Sequence, residues 1–446
     1  MGRPSHSRSL GLWSNGERVG RWTIPARGDM ELRYDETWVR SEFGRPLSLS
    51  LPFNPHNGVV KGDAVEHYFD NLLPDSNAIR KRVAARFKTG SVDAFDLLHA
   101  IGRDCVGAVQ LLDEDETPTA VDRIEAVPLD DESIERHLLG VVNPDRFDPS
   151  VDSDDDFRIS LAGAQEKDAY LWWNGAWHKP RGTTPTTHIF KLPLGLIGGR
   201  RADFSTSVDN EWLCLKLLKA YGLPTADATI ATFGEQRVLV VERFDRRVSA
   251  GGRLLRLPQE DFCQATGTSP LVKYENEGGP GLAKMFSLLQ QSARANEDMR
   301  TLMASQVLFW LLRAPDGHAK NFSIHLLAGG AFQLTNMYDV MSAYPILGKG
   351  PNQWSPRDVK LAMALLSKNR HYAMATIQRR HFNSTAKQVG YGQDAESVIQ
   401  ELIAKTPGVI AQVQEQLPSD FSPLVAERVL GGLQTAANTL EDMPAT

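Results

Sequence analysis

An aspartate and an asparagine five positions apart open the chemistry of this sequence. They stand in the stretch Ala314-Pro-Asp316-Gly-His318-Ala-Lys-Asn321. Pro315 biases Ala314 away from the helical region, so a helix ending near Arg313 must stop and Asp316 falls on a loop. Phe322-Ser-Ile-His-Leu326, Gly329-Gly330 and Phe332-Gln-Leu-Thr335 then read as a β-hairpin with a Gly-Gly turn. A hairpin returns the chain to its start, so Asp339, just past the second strand, is expected near Asn321. An amide oxygen and a carboxylate converging on one spot are hard oxygen ligands. Two of them, completed by phosphates and water, suit magnesium. Asp316 would then be free to accept a proton from a hydroxyl nucleophile. This is the spacing logic of phosphoryl transfer in protein kinases, with two departures. Ala314-Pro315 stands where His-Arg is usual, and Val340-Met341 follows the metal aspartate where Phe-Gly is usual. A polar turn before a hairpin fits the same local sequence.

Upstream residues add to the pattern. Lys191 lies in the strand-like Thr187-His-Ile-Phe-Lys-Leu192, ahead of a helix that carries Glu211. A lysine so placed can grip α and β phosphates with an acid as its partner; a plain strand-edge lysine reads the same. Ser160-Leu-Ala162-Gly163-Ala164-Gln165-Glu166-Lys167 is a small-residue loop whose N–H groups could cradle phosphate. Backbone groups of Glu242-Arg243-Phe244, where a strand ends, could read an adenine edge. His178, His188, His318 and His325 match no zinc spacing. The three cysteines, Cys105, Cys214 and Cys263, are far apart and suit buried thiols rather than a disulfide framework.

These groups need elements to hold them. Residues 10–60 read as short strands, including the alternating Leu47-Ser-Leu-Ser-Leu51. Helical patterns follow at 78–87 and 95–101, with a strand at 106–112. Residues 1–110 are therefore expected to form a β-rich module, and 111–156, dense in Asp and Glu, a solvated acidic connector with a short helix around 133–139 inside it. Residues 157–258 return to strands, with the Asn174-Gly175 hairpin signal and a helix over 210–221 that stops at Gly222. From 259 to 446 the pattern is mostly helical, at 281–292, 297–313, 357–367, 371–388, 394–404 and 422–440. With 446 residues and a net charge of −6, the chain is expected to be soluble and not to bind nucleic acid over its whole surface. The N-terminus has no apolar run of the signal-peptide kind and no stretch suits a bilayer, so the cytoplasm is the expected place.

At this point the chain resembles the HipA family of toxin kinases. The matching stretches are Arg45–Pro52, Phe69-Asp-Asn-Leu-Leu-Pro-Asp-Ser76, Ile101–Ala108, Phe157-Arg-Ile-Ser160, Ala162–Lys167, Val241–Arg247, Leu257–Asp261, Asp316–Asn321 and Tyr338-Asp-Val-Met-Ser-Ala343. The resemblance implies an α+β, bilobal, protein-kinase-like fold. It would have a β-rich N-terminal module and N-lobe (157–258), an all-helical C-lobe (259–446), and ATP between the lobes. It implies Asp316 as catalytic base, Asn321 and Asp339 as Mg2+ ligands, and Lys191 on the phosphates. Ala162, Gly163, Ala164, Gln165, Glu166, Lys167, Glu242, Arg243, Phe244, Gln259, His318 and Tyr338 fall where the family touches ATP. Ser160 matches the serine these kinases phosphorylate on themselves. A HipB-like helix-turn-helix antitoxin, operator DNA and a translation component such as glutamyl-tRNA synthetase are the implied partners. Lys387 matches a DNA-contacting lysine, but Gly390 stands where a second basic residue is expected. A catalytically quiet co-repressor is the alternative.

Overall fold

Asn15-Gly16 turns the first strand, Arg8–Ser14, back on the second, Glu17–Ile24. Both turn residues have positive φ, the conformation a two-residue hairpin turn requires. The computed structural model describes residues 7–54, 58–142, 160–163, 165–197 and 202–445. The first two strands sit in a five-stranded antiparallel sheet with Glu31–Tyr34, Val60–Lys61 and Gln110–Asp113. Helices Asp63–Asp70 and Ala94–Ile101 supply its core, where Trp22 is fully buried with its ring stacked 3.9 Å from that of Phe69.

A second, six-stranded antiparallel sheet forms the N-lobe. Its order is Ala228–Phe233, Gln236–Glu242, His188–Lys191, Lys167–Trp173, Ala176–Pro180 and Ala126–Pro128. The helix Ser207–Tyr221 packs under it and ends on Gly222 in the left-handed conformation. Below lies the largest core, built on Ala295–Leu311, Glu396–Gln414 and Pro423–Asp442.

Three expectations are corrected here. Residues 111–156 are not a mere solvated connector, and the short helix expected around 133–139 is present as Asp131–Val142. Gln110–Asp113 closes the first sheet, Ala126–Pro128 edges the second, and the helix Asp131–Val142 lays Ile134 and Leu138, both fully buried, on the N-lobe sheet. The acidic side chains of this stretch outnumber an apolar stripe that is only a few residues wide. The acidic run Asp152–Asp156 lies outside the described residues, as do Phe157–Ile159 and Ala164.

The C-lobe is not all helical. Gln259–Asp261, Ser323–Leu326 and Phe332–Leu334 form a three-stranded sheet, and Lys360–Leu366 pairs with Arg370–Ala373 where helix was expected. Residues 361–365 are buried on both faces, so the run carries no alternation to mark it as a strand. Leu47–Leu51 is a turn rather than a strand. Its N–H groups bond to side chains or within the turn instead of to a ladder: Leu49 N–H donates to Glu260 Oε1 at 2.8 Å, Ser50 N–H to Ser48 Oγ at 3.0 Å and Leu51 N–H to Ser48 O at 3.1 Å.

Candidate active site

The helix Ala295–Leu311 brings the chain to the floor of a cleft of about 680 Å3 between the two lobes. Arg313 takes a positive φ at the helix end, and Ala314 N–H caps Phe309 O at 2.8 Å. Pro315 then stops the helix and Asp316 emerges on the cleft wall, 42% exposed. Gly317 has to be glycine, because a Cβ there would lie 2.3 Å from the Phe309 ring. One turn of 3-10 helix, Ala319–Asn321, follows. Asn321 Nδ2 donates to the backbone oxygen of Asp316 at 2.7 Å, which locks the loop and commits the amide nitrogen.

The hairpin Ser323–Leu326/Phe332–Leu334 carries the chain back as expected, through Gly329 and Gly330 at positive φ. Asp339 lines the same cleft, in the left-handed conformation (φ 57°) that a short acidic side chain tolerates better than most. The residues after it are clasped to both neighbouring elements. Ser342 exchanges two hydrogen bonds with Asn210 of the 207–221 helix, and its hydroxyl donates to Leu312 O at 2.6 Å.

Lys191 is the hub. Its Nζ lies 2.6 Å from Glu211 Oε1 and 2.8 Å from Asp339 Oδ1. Burial alone would lower this ammonium, but Asp339 and Glu211 outweigh it and hold the lysine well above its usual range. The Asp339 carboxyl, which burial would raise, is held far below the carboxylate range by Lys191 and Lys167. Glu211 is pushed up to about 7, chiefly by burial. Lys167 stands directly opposite Lys191 in the strand pair. Like charges in that position are unfavourable, and burial together with Lys191 lowers Lys167 to about 8.

The nucleotide loop expected at 162–167 lines the cleft at every described position. Gly163 takes a positive φ and is anchored by Asp75 N–H to its carbonyl at 2.9 Å. Lys167 Nζ donates to Ala162 O, and Gln165 Nε2 to Leu192 O at 2.6 Å. At the other end, Phe244 and Tyr338 face each other with ring centres 5.7 Å apart. Gln259 Oε1 and His318 Nδ1 are buried in the cleft wall with no hydrogen-bond partner among the described residues. A buried amide oxygen and ring nitrogen without partners are costly unless something fills the cleft and bonds to them.

Glu242 and Arg243 line the cleft as well, but their polar groups are largely committed within the protein. The N–H groups of Glu242 and Arg243 are taken by Asp227 O and Thr187 O, at 2.8 and 2.9 Å. The Arg243 guanidinium is turned into a buried cluster with Asp104 and Asp245 rather than offered to a ligand. Ser160 is fully buried, its Oγ donating to Leu72 O at 2.7 Å. Lys387 is exposed near the end of Arg379–Gln388, remote in sequence from these groups. The three cysteines are buried and free. Among the described residues, no cluster of three or more His, Cys, Asp or Glu can hold a metal, and no helix is long and apolar enough to cross a membrane.

Four residues in the site were not singled out from the sequence: Asp75, Lys273, Tyr274 and Lys320. Tyr274 donates its hydroxyl to Asp316 Oδ1, and Asp75 binds both lysines. Only the presence of Asp75 and Lys320 inside quoted motifs could have pointed to them.

Comparison with known proteins matches this architecture. A family model described as the HipA-like C-terminal domain covers residues 159–410, and one described as the HipA N-terminal domain covers 10–112. The chain is 33% identical over 415 residues, 92% of each protein, to the "Putative kinase Y4mE" of Sinorhizobium fredii. It is 28% identical over 342 residues, 73% of this chain and 72% of the relative, to the serine/threonine-protein kinase toxin HipA of Shewanella oneidensis. A solved Shewanella oneidensis complex of HipA, HipB and operator DNA contains a chain that superposes with a TM-score of 0.77. That match covers 97% of each chain at 23% identity and speaks for the fold.

Proposed function

The chain belongs to the HipA family of kinases, and we propose that it is a Mg-ATP-dependent serine/threonine protein kinase acting as a growth-inhibiting toxin. One observation carries this: Lys191 bridges Glu211 and Asp339 inside a cleft that Asp316 and Asn321 also line. A lysine paired to a helix acid, a loop carboxylate and two oxygen ligands are the parts phosphoryl transfer needs.

In this reading Lys191 and Lys167 hold the phosphates, and Phe244, Tyr338 and Gln259 receive the base. The orphaned Gln259 Oε1 suits a donor such as an exocyclic amino group, and His318 Nδ1 suits a polar group nearer the phosphates. Burial lowers the His318 pKa, so the ring stays neutral near pH 7. Magnesium fits Asn321 and Asp339. The amide nitrogen of Asn321 is committed, which leaves its oxygen, and Asp339 is a firm anion. Two protein ligands suit a magnesium ion that phosphates complete; the ion would neutralise charge on the transferred group. Asp316 is the exposed carboxylate that takes the proton from the acceptor hydroxyl.

Ser160 is proposed as the site of self-inactivation. Its hydroxyl is sealed against Leu72 O, and its N–H donates to Asp104 O at 3.1 Å. A phosphate adds close to two negative charges where the hydroxyl is buried against a carbonyl oxygen. The modified segment must therefore leave this seat and take the neighbouring nucleotide loop with it. A HipB-like antitoxin and operator DNA are proposed as partners, by analogy with the Shewanella complex. A translation component such as glutamyl-tRNA synthetase is the proposed substrate, and Lys387 is available at the surface for DNA.

The test is transfer of labelled phosphate from Mg-ATP. The wild-type chain is expected to label Ser160, while Asp316→Gln and Ser160→Ala do not. Equal labelling by Asp316→Gln would remove the base from this scheme.

A further inference from the structure

Asp75 belongs to the N-terminal module, five residues beyond the helix Asp63–Asp70, yet its carboxylate lies in the cleft wall. Its two oxygens each take a lysine: Oδ1 accepts from Lys320 Nζ at 3.0 Å, and Oδ2 from Lys273 Nζ at 2.7 Å. Lys320 is 4% exposed and also donates to Asn71 O at 3.2 Å. An ammonium so deeply buried needs a counter-charge, because leaving it unpaired costs several kcal/mol. Asp75 is the hydrogen-bonded carboxylate of both lysines and so ties one to the other.

Each tie leads to a different part of the reaction centre. Lys320 lies on the catalytic loop between Asp316 and Asn321. Lys273 precedes Tyr274, whose hydroxyl donates to Asp316 Oδ1 and whose ring stands edge-on to His318 at 4.9 Å. The backbone N–H of Asp75 holds Gly163 of the nucleotide loop. The turn itself is braced, with Arg80 bonding both Pro74 O and Asp70 at 2.6 Å. The carboxylate oxygen of Asp316 is thus aimed by a phenol, and that phenol is held by a lysine clamped from another module.

We propose that Asp75 is a positioning residue for phosphoryl transfer, fixing the catalytic loop through Lys320 and the Asp316 carboxylate through Lys273 and Tyr274. The inference rests on the kinase reading above. It makes the N-terminal module part of the reaction centre rather than an appendage to it.

Asp75→Asn keeps the shape and the tie to Gly163, removes the shared charge and leaves an acceptor for only one of the two lysines. The experiment follows total γ-phosphoryl release from Mg-ATP by the full chain. Displacing reacting groups by about an ångström can cost about 100-fold, so kcat is expected to fall roughly 10- to 100-fold. KM for ATP should stay within about threefold, because the nucleotide contacts survive. Asp75→Glu should recover most of the loss. Combining Asp75→Asn with Lys320→Gln should be no slower than Asp75→Asn alone, as for residues acting in series. An unchanged kcat, a loss confined to KM, or an additive double variant overturns the proposal. If Asp75→Asn does not fold, Lys273→Gln takes its place and should lower kcat about threefold with KM held; no change in its kcat has the same consequence. Asp316→Gln is run alongside. A wild-type chain without turnover, or an Asp316→Gln chain with full turnover, brings down the kinase reading and this inference with it. A loss in Asp316→Gln alone brings down only the role of Asp75.

Discussion

Where the N-terminal module meets the N-lobe, Asp104, Arg243, Asp245, Arg246 and Arg256 are each at most 5% exposed in their side chains. The cleft, by contrast, gathers Lys167, Lys191, Glu211 and Asp339 beside open volume. At the module junction the carboxylates are saturated. Asp104 Oδ1 accepts from Arg246 and Arg256, while its Oδ2 accepts from Arg243 and from the N–H and hydroxyl of Thr186. Asp245 is chelated by Arg243 and capped by Gly107 N–H at 2.7 Å. In the cleft, two lysines oppose each other across strands, Asp316 faces solvent, and Gln259 and His318 keep polar atoms unmatched. The difference separates charge that joins two modules from charge that awaits a ligand. A local rule broken without internal compensation marks the second kind.

The sharpest way to break this comparison is a pair of substitutions. Asp316→Gln should lower phosphoryl transfer by roughly 100- to 10,000-fold, the range of general-base catalysis, and leave the urea midpoint unchanged. Asp104→Ala should do the reverse. Stripping the shared anion from three buried arginines should cost about 3–5 kcal/mol in unfolding free energy, read by urea denaturation. A loss below about 1 kcal/mol would show that the junction is not the clamp described.

A smaller effect sharpens the cleft side. Lys167 is charged below about 8 in the free chain and neutral above it. Phosphates favour the charged form, so nucleotide affinity should weaken as pH rises through that value. Binding above it should then draw up to one proton from solution. Calorimetry in two buffers of different ionisation enthalpy checks this: uptake is expected at pH about 9 and little at pH about 7.

A further pH effect, on stability, concerns Glu260, which meets the Leu47–Leu51 turn of the N-terminal module. Burial raises its carboxyl from 4.5 to about 8. The folded chain therefore holds the extra proton, so this contribution to stability is complete below about 4.5 and is lost as pH rises towards about 8. Glu260→Gln should flatten that slope in urea titrations across the same range.

The 316–321 loop, its hairpin and the position of Asp339 in the same cleft were legible because their spacing is local and a proline follows the helix end. Lys191 and Glu211 were legible only as a weak pair, 20 residues apart on a strand and a helix. Asp75 and Lys273 are separated by 198 residues and meet only through the packing of two modules, which no local pattern encodes. The short helix around 133–139 was legible inside the acidic stretch, but its packing on the N-lobe sheet through Ile134 and Leu138 was not, because the surrounding composition reads as solvated. Residues 361–365 were misread because burial on both faces erases the strand period.

The central claim is that Lys191, Asn321 and Asp339 surround the terminal phosphates of a nucleotide. A crystal structure of the full chain with magnesium and a non-hydrolysable ATP analogue tests it directly. The account predicts phosphates against Lys191, a metal on Asn321 and Asp339, and the base against Gln259, Phe244 and Tyr338. A nucleotide bound outside this cleft, or one inside it that leaves Lys191 and Asp339 untouched, would contradict the account.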